Sequence, residues 1–182
     1  MKKILKLSLS LLGNQFLASV AGFMCVIFVW LLAGNSILAH IIFLLFTYPF
    51  FVYIEYRAAY NTGFHDPDRR NAPDKKSYIY KGAIAGFISA IPLYVLIVLF
   101  FIARGQGNVL LTEYAKLYAR IGAMYYNWPM CNIFPNHIAA VFLSSTVPPI
   151  ILPMIGYIFG YKHIMLTDIV CKLFRIDPKR HF

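Results

Sequence analysis

The sequence predicts an all-α polytopic membrane protein, with four transmembrane helices plus an amphipathic interfacial helix, forming a single membrane domain over residues 1–182. Three observations carry that expectation. Of the 182 residues, 60% are apolar and only 13% are charged, against about 45–50% and about 25% in soluble domains. The apolar residues come in blocks long enough to cross a ~30 Å hydrocarbon layer as helices of about 20 residues. Lys and Arg are shared out between alternate connecting segments, as the orientation of an inserted chain requires.

The four apolar segments are Leu11–Ala33, Ile37–Ile54, Ala83–Ala103 and His137–Tyr161. The start, MKKILKLSLSLL, has the basic beginning and apolar run of a signal peptide. Lys6 interrupts that run and hydrophobicity continues to Ala33, too long for a cleavable segment, so it reads as an uncleaved first span. Ala18 and Gly22, four residues apart in this span, are a helix-packing pair that permits close backbone approach. Only Gly34-Asn35-Ser36 separates the first span from the second, which predicts a tight antiparallel hairpin. The second span is the shortest, 18 residues, or roughly 27 Å as a helix. Its helix is expected to continue past the bilayer surface, with Tyr53, Tyr56 and Tyr60 on one face and Gly63 as a left-handed C-terminal cap.

The loop 55–82 concentrates charge. Arg57, Asp66, Asp68, Arg69, Arg70, Lys75 and Lys76 are candidate contacts to a partner or to lipid headgroups, since clustered basic residues attract anionic lipid. Asp66-Pro67 suits a helix cap followed by a first helical position, and Asp74 is a similar start signal. The three aspartates miss the calcium-loop pattern, because Arg70 and Asn71 stand where Asp or Asn and then Gly are needed. In the third span, Gly82, Gly86 and Ala90 repeat every four residues, giving a smooth helix-packing face, and Pro92 removes a backbone hydrogen bond half way along.

The outer loop 104–136 holds the amphipathic stretch. Advancing about 100° per residue places Leu110, Tyr114, Leu117, Tyr118, Ile121, Met124, Tyr125 and Trp128 on one face. Glu113, Lys116, Arg120 and Asn127 fall opposite. An interfacial helix on the outer leaflet, ending near Pro129, is expected; a helix capping the bundle from outside is the alternative. The fourth span is interrupted by composition: Ser144, Ser145 and Thr146 precede Pro148-Pro149, and Pro153 follows. Prolines there break the hydrogen-bond ladder, and in hydrocarbon the freed carbonyls need partners. These five residues, Ser144 to Pro149 without Val147, are the candidate intramembrane polar site, because discontinuous helices frame substrate or ion sites. A kink repaired by the three hydroxyls is the alternative.

The 17 basic residues decide orientation. Lys2, Lys3 and Lys6 precede the first span, six lie in loop 55–82 and five in the tail 162–182. Only Arg104, Lys116 and Arg120 lie in the outer loop. Both termini and loop 55–82 are therefore expected to be cytoplasmic. The net charge of +10 is a topological signal, and no nucleic acid is expected as partner.

Catalytic and metal motifs are sparse. Cys25, Cys131 and Cys171 fall mid-membrane, outside and inside, so none can approach another within the reach of a disulfide. His40, Cys131 and His137 lie at similar depth, but without the close spacing or carboxylate of a dedicated site. Neither metal nor cofactor is expected. Ser144 and Ser145 stand seven and eight residues from His137, about 10–12 Å along a helix, too far for nucleophile and base. No ionisable residue other than His is expected well inside a span, which argues against a one-chain pump.

Tyr56-Arg57, Gly63, Asp66, Lys81-Gly82, Pro92 and Gly160-Tyr161-Lys162 together resemble small four-span bacterial membrane proteins of unassigned function. The matching positions spread over most of the chain. Pro67 departs from the pattern, where a variable polar residue and then Asn would stand. The resemblance implies the topology and a shared cytoplasmic loop. The expected location is a bacterial plasma membrane with both termini cytoplasmic. The expected role is a structural or accessory component of a membrane complex, with anionic headgroups on the cytoplasmic side and a homo-oligomer or larger assembly as partners. The alternatives are an oligomeric channel or transporter subunit using the broken fourth span, and a membrane-embedded lipid-acting enzyme, although the sequence leans away from catalysis.

Overall fold

The computed structural model describes residues 2–34, 36–66 and 78–164. Its helices are α1 (Lys2–Ala33), α2 (Ile37–Phe64), α3 (Tyr78–Gly105), α4 (Val109–Gly122), α5 (Asn127–Ile133), α6 (Ile138–Ser145) and α7 (Pro148–Lys162), with a 3-10 turn at Pro135–His137. No strand occurs among the described residues. Four stretches are long and apolar enough to cross a membrane: Lys3–Val29, Ile37–Phe64, Tyr80–Gly105 and Pro135–Lys162. The chain is an all-α multi-pass membrane protein. The start of α1, the ends of α2 and α7 and the start of α3 share one end of the bundle, called here the basic end.

The α1–α2 turn follows from its residues. Gly34 takes φ 63°, a conformation that costs a glycine nothing, and the Ser36 hydroxyl accepts from the Ala39 N–H at 3.2 Å, satisfying one of the orphan donors of a helix start.

Toward the basic end, α7 is seated between α2 and α3 with backbones in contact. A Cβ on Gly63 would strike the Tyr157 carbonyl oxygen, one on Gly160 the Tyr60 oxygen, and one on Gly156 would lie 2.6 Å from the Tyr56 oxygen. On the other side, Cβ atoms on Gly82 and Gly86 would strike the Pro153 and Pro149 carbonyl oxygens. Proline chemistry explains the last contact. Pro153 has no N–H for the Pro149 carbonyl, so that oxygen is free to face the bare Cα of Gly86. Ala90, one turn on, is fully buried.

One boundary expectation holds in part and another changes. As expected, α2 continues beyond Ile54, to Phe64 with His65 as its cap. Gly63 stays helical instead of capping in the left-handed region; it is the close approach of α7 that requires a glycine there. The amphipathic stretch is also not one helix ending near Pro129. It is α4, a turn at 123–126, and α5. Of the side chains expected on a lipid-facing surface, Leu110, Tyr114, Leu117, Tyr118 and Ile121 are exposed, but Met124 and Tyr125 are buried, as are Ala115 and Ala119. The helix nevertheless does not lie across the top of the bundle. Asn108 N–H donates to the Ala103 carbonyl at 3.2 Å, and a Cβ on Gly122 would lie 3.3 Å from Leu96 and 3.7 Å from Leu93. Thus α4 runs antiparallel to α3, and its end sits roughly 14–18 Å below the end of α3 at 1.5 Å per residue. The turn lies inside the bundle.

Candidate functional site

A chain that turns inside a membrane must satisfy the carbonyls at the helix end by other means. The carbonyls of Ala119, Gly122 and Tyr125 are met by neighbours. Ser19 of α1 donates to the Gly122 carbonyl at 3.1 Å, and the Asn127 amide donates to the Ala119 carbonyl at 3.0 Å. The Thr47 hydroxyl of α2 lies 3.0 Å from both the Phe43 and Tyr125 carbonyl oxygens, donating to one at a time. Gly22 leaves room for this turn, since its Cβ would lie 3.2 Å from the Tyr125 nitrogen. Ala18, one turn earlier, is 1% exposed and belongs to the same core.

The second interruption is the α6–α7 joint in the fourth span. Ser144, Ser145 and Thr146 donate to the carbonyls of Val141, Phe142 and Leu143 at 2.8, 2.7 and 2.6 Å, three residues back. The Thr146 carbonyl accepts from the Tyr94 hydroxyl of α3 at 3.0 Å. Pro148 and Pro149 open α7, the helix position where a missing N–H costs least. The two interruptions touch: the Tyr126 and Ser144 hydroxyls lie 2.9 Å apart. Ser144 is exposed and Ser145 buried. No hydrogen bond among the described residues joins His137 to either serine.

Below these breaks lies a residue the sequence reading left in the loop. Glu55 is 0% exposed, inside α2, nine residues before its end, or about 14 Å. Neither of its carboxylate oxygens meets a donor at full hydrogen-bond geometry among the described residues, and the neutral Gln15 amide reaches them as a looser donor. Gln15 of α1 stands beside it. The Gln15 amide donates to the Ser89 hydroxyl at 3.1 Å, which donates to the Gly86 carbonyl at 2.8 Å. Asn14 donates to the Ile54 carbonyl at 3.2 Å. Tyr125 of the turn is within electrostatic reach of Glu55, and its ring stacks on Phe51 with centroids 3.9 Å apart. The expectation of no ionisable residue other than His within a span is therefore corrected. A sequence signal existed: Phe43, Thr47, Phe51, Glu55, Ala59 and Gly63 are all buried on α2, a four-residue repeat through Glu55. Hydropathy closed the segment at Ile54 and hid it.

On the other side of Gln15 is an apolar groove of about 530 Å³ between α1, α3 and α4, lined by Phe16, Ser19, Pro92, Leu96 and Tyr118 among others. At the basic end Asp66 is 5% exposed and accepts from Lys81 at 2.7 Å and from the Tyr157 hydroxyl. This ties α2, α3 and α7 together and directs Asp66 inward, away from headgroups. Arg57 is exposed and donates to the Tyr53 hydroxyl at 2.9 Å. Asp68, Arg69, Arg70, Lys75 and Lys76, with Asp74, lie outside the described residues.

The His40, Cys131 and His137 trio is not assembled as a metal site, and no group of three metal-ligating side chains gathers among the described residues. His40 and Cys131 are buried but His137 is exposed. Arg120 reaches both buried members electrostatically. A fixed cation opposes a metal ion there. No family model matches the chain, and no curated protein or solved structure is similar to it.

Proposed function

We propose that the chain is a membrane transport component, taking a small solute or ion where its two backbone interruptions meet. One observation carries this reading: the Tyr126–Ser144 contact joins the turn at 123–126 to the α6–α7 joint. The contact lies on the exposed side of the bundle, and helix ends that face each other at membrane depth are the arrangement in which transporters hold substrates and coupling ions. Irregular backbone at that depth is stable only when buried in protein or lining a cavity. The basic residues favour a bacterial plasma membrane with both termini cytoplasmic, and Arg57 at the basic end faces anionic headgroups in that orientation. The test is reconstitution into liposomes with dyes for pH, potassium and chloride. Flux above that of protein-free vesicles, reduced by Ser144→Ala with Tyr126→Phe, is the expected result. No flux of any small ion would overturn the reading.

A second reading, a structural or accessory part of a larger complex, is favoured by α1. Its span is the least covered of the four, with Phe16, Phe23, Phe28 and Leu31 exposed. A partner helix on that face would be retained through purification in mild detergent. A chain that runs alone and monomeric would remove this reading.

A further inference from the structure

We infer that Glu55 is a proton-binding site within the membrane, its carboxyl holding a proton in the folded chain and exchanging it with water when the polar cluster at Gln15 and Ser89 opens. A carboxylate is an acceptor with two oxygens to satisfy, and buried polar groups are satisfied in nearly all structures. A structural carboxylate inside a bundle is met by N–H and O–H donors or by a cation, because burying an unpaired charge is far costlier than burying a neutral acid. Glu55 is 0% exposed; neither oxygen meets a donor at full hydrogen-bond geometry among the described residues, and the donor that does reach the carboxyl, the Gln15 amide, is neutral and leaves a charge there uncompensated.

The surroundings on every side are uncharged or weakly acidic. From α1 comes Gln15, and from α3 Ser89, reached through Gln15. From the inner turn comes Tyr125, which itself couples to Tyr48 and Tyr94. The stretch of α7 at this level, Pro148 to Gly156, contains no titratable residue. A divalent metal ion would need about six oxygen ligands at once, and no group of three metal-ligating side chains gathers among the described residues. One proton suffices to neutralise the carboxyl. Intramembrane acids without a structural partner are the usual stations of proton-coupled movement, so the ligand class assigned here deepens the transport reading and rests on it for its use.

The experiment is labelling of the full chain in liposomes with a hydrophobic carbodiimide. The reagent adds across its C=N bond to the O–H of a protonated carboxylic acid, and the adduct rearranges to a stable N-acylurea read by peptide mass. The expected result is labelling at Glu55 that falls as pH is raised, with exposed Glu113 unlabelled and no protection by sodium at fixed pH. Glu55→Gln, a neutral near-isostere of the acid, should fold, elute as the parent does and lose the label. An unlabelled Glu55, labelling equal to that of Glu113, protection by sodium, or a Glu55→Gln chain that fails to fold would each overturn the proposal. The label reads the carboxyl alone, so vesicles without flux leave this result standing, and an unlabelled Glu55 leaves the transport reading standing.

Discussion

The two ends of the bundle are held by opposite means. Toward the basic end α7 lies on α2 and α3 with glycines against carbonyl oxygens: Gly63, Gly156 and Gly160 on one side, Gly82 and Gly86 on the other. Toward the other end the backbone is interrupted at 123–126 and 146–147, and side-chain hydrogen bonds from Ser19, Thr47, Tyr94 and Asn127 hold the breaks against an apolar cluster around Phe51, Tyr125 and Phe142. The first region has no room for a side chain, let alone a ligand. The second meets its breaks with side-chain donors from three different helices and the turn's own Asn127.

That contrast makes graded predictions. The largest effect belongs to Gly160→Leu, whose side chain meets a backbone oxygen that cannot move aside. Overpacking costs about 1–3 kcal/mol where neighbours yield, and here the chain should lose its monodisperse peak in detergent altogether. Next is Lys81→Met, which removes the ion-pair partner of the buried Asp66 carboxylate. Breaking a buried pair costs about 3 kcal/mol or more, so the thermal midpoint should fall, and adding Asp66→Asn should restore much of it. A smaller and opposite change is expected from Gly13→Ala. Gly13 is helical with nothing within 4 Å, so alanine there should stabilise by about 0.8–1 kcal/mol. If Gly13→Ala and Gly160→Leu behaved alike, the glycine contacts would carry no packing role. The smallest is Ser19→Ala, which frees the Gly122 carbonyl. Interhelical hydrogen bonds in membranes average about 0.6 kcal/mol, and the loss should appear as faster hydrogen exchange confined to 122–127.

The same contrast explains what the sequence could reveal. Glycine spacing is visible without a structure, so Gly82, Gly86 and Ala90 read directly as a packing face; Gly156 and Gly160 carry the same four-residue spacing and were readable by the same rule. The proline break after Thr146 was legible because proline lacks an N–H wherever it stands. The inner turn was not. The apolar period runs unbroken from Leu110 through Tyr125, and only Gly122 interrupts it chemically. Whether such a stretch lies on the surface or dives depends on distant hydroxyls, Ser19 and Thr47, that donate to its free carbonyls. Glu55 was hidden by a hydropathy boundary, although the four-residue repeat on α2 passes through it. Asp66 read as a headgroup contact because its partners, Lys81 and Tyr157, are 15 and 91 residues away in the chain.

The central claim is that the chain turns inside the membrane at 123–126. A spin label at Ile121, exposed beside that turn, measures this directly through its collision rates with oxygen and with a water-soluble nickel chelate. The account predicts the depth of a label at Val95, which is exposed at mid-length on α3. A label at Ile121 as shallow as one at Leu110 would contradict it and return α4 to the membrane surface.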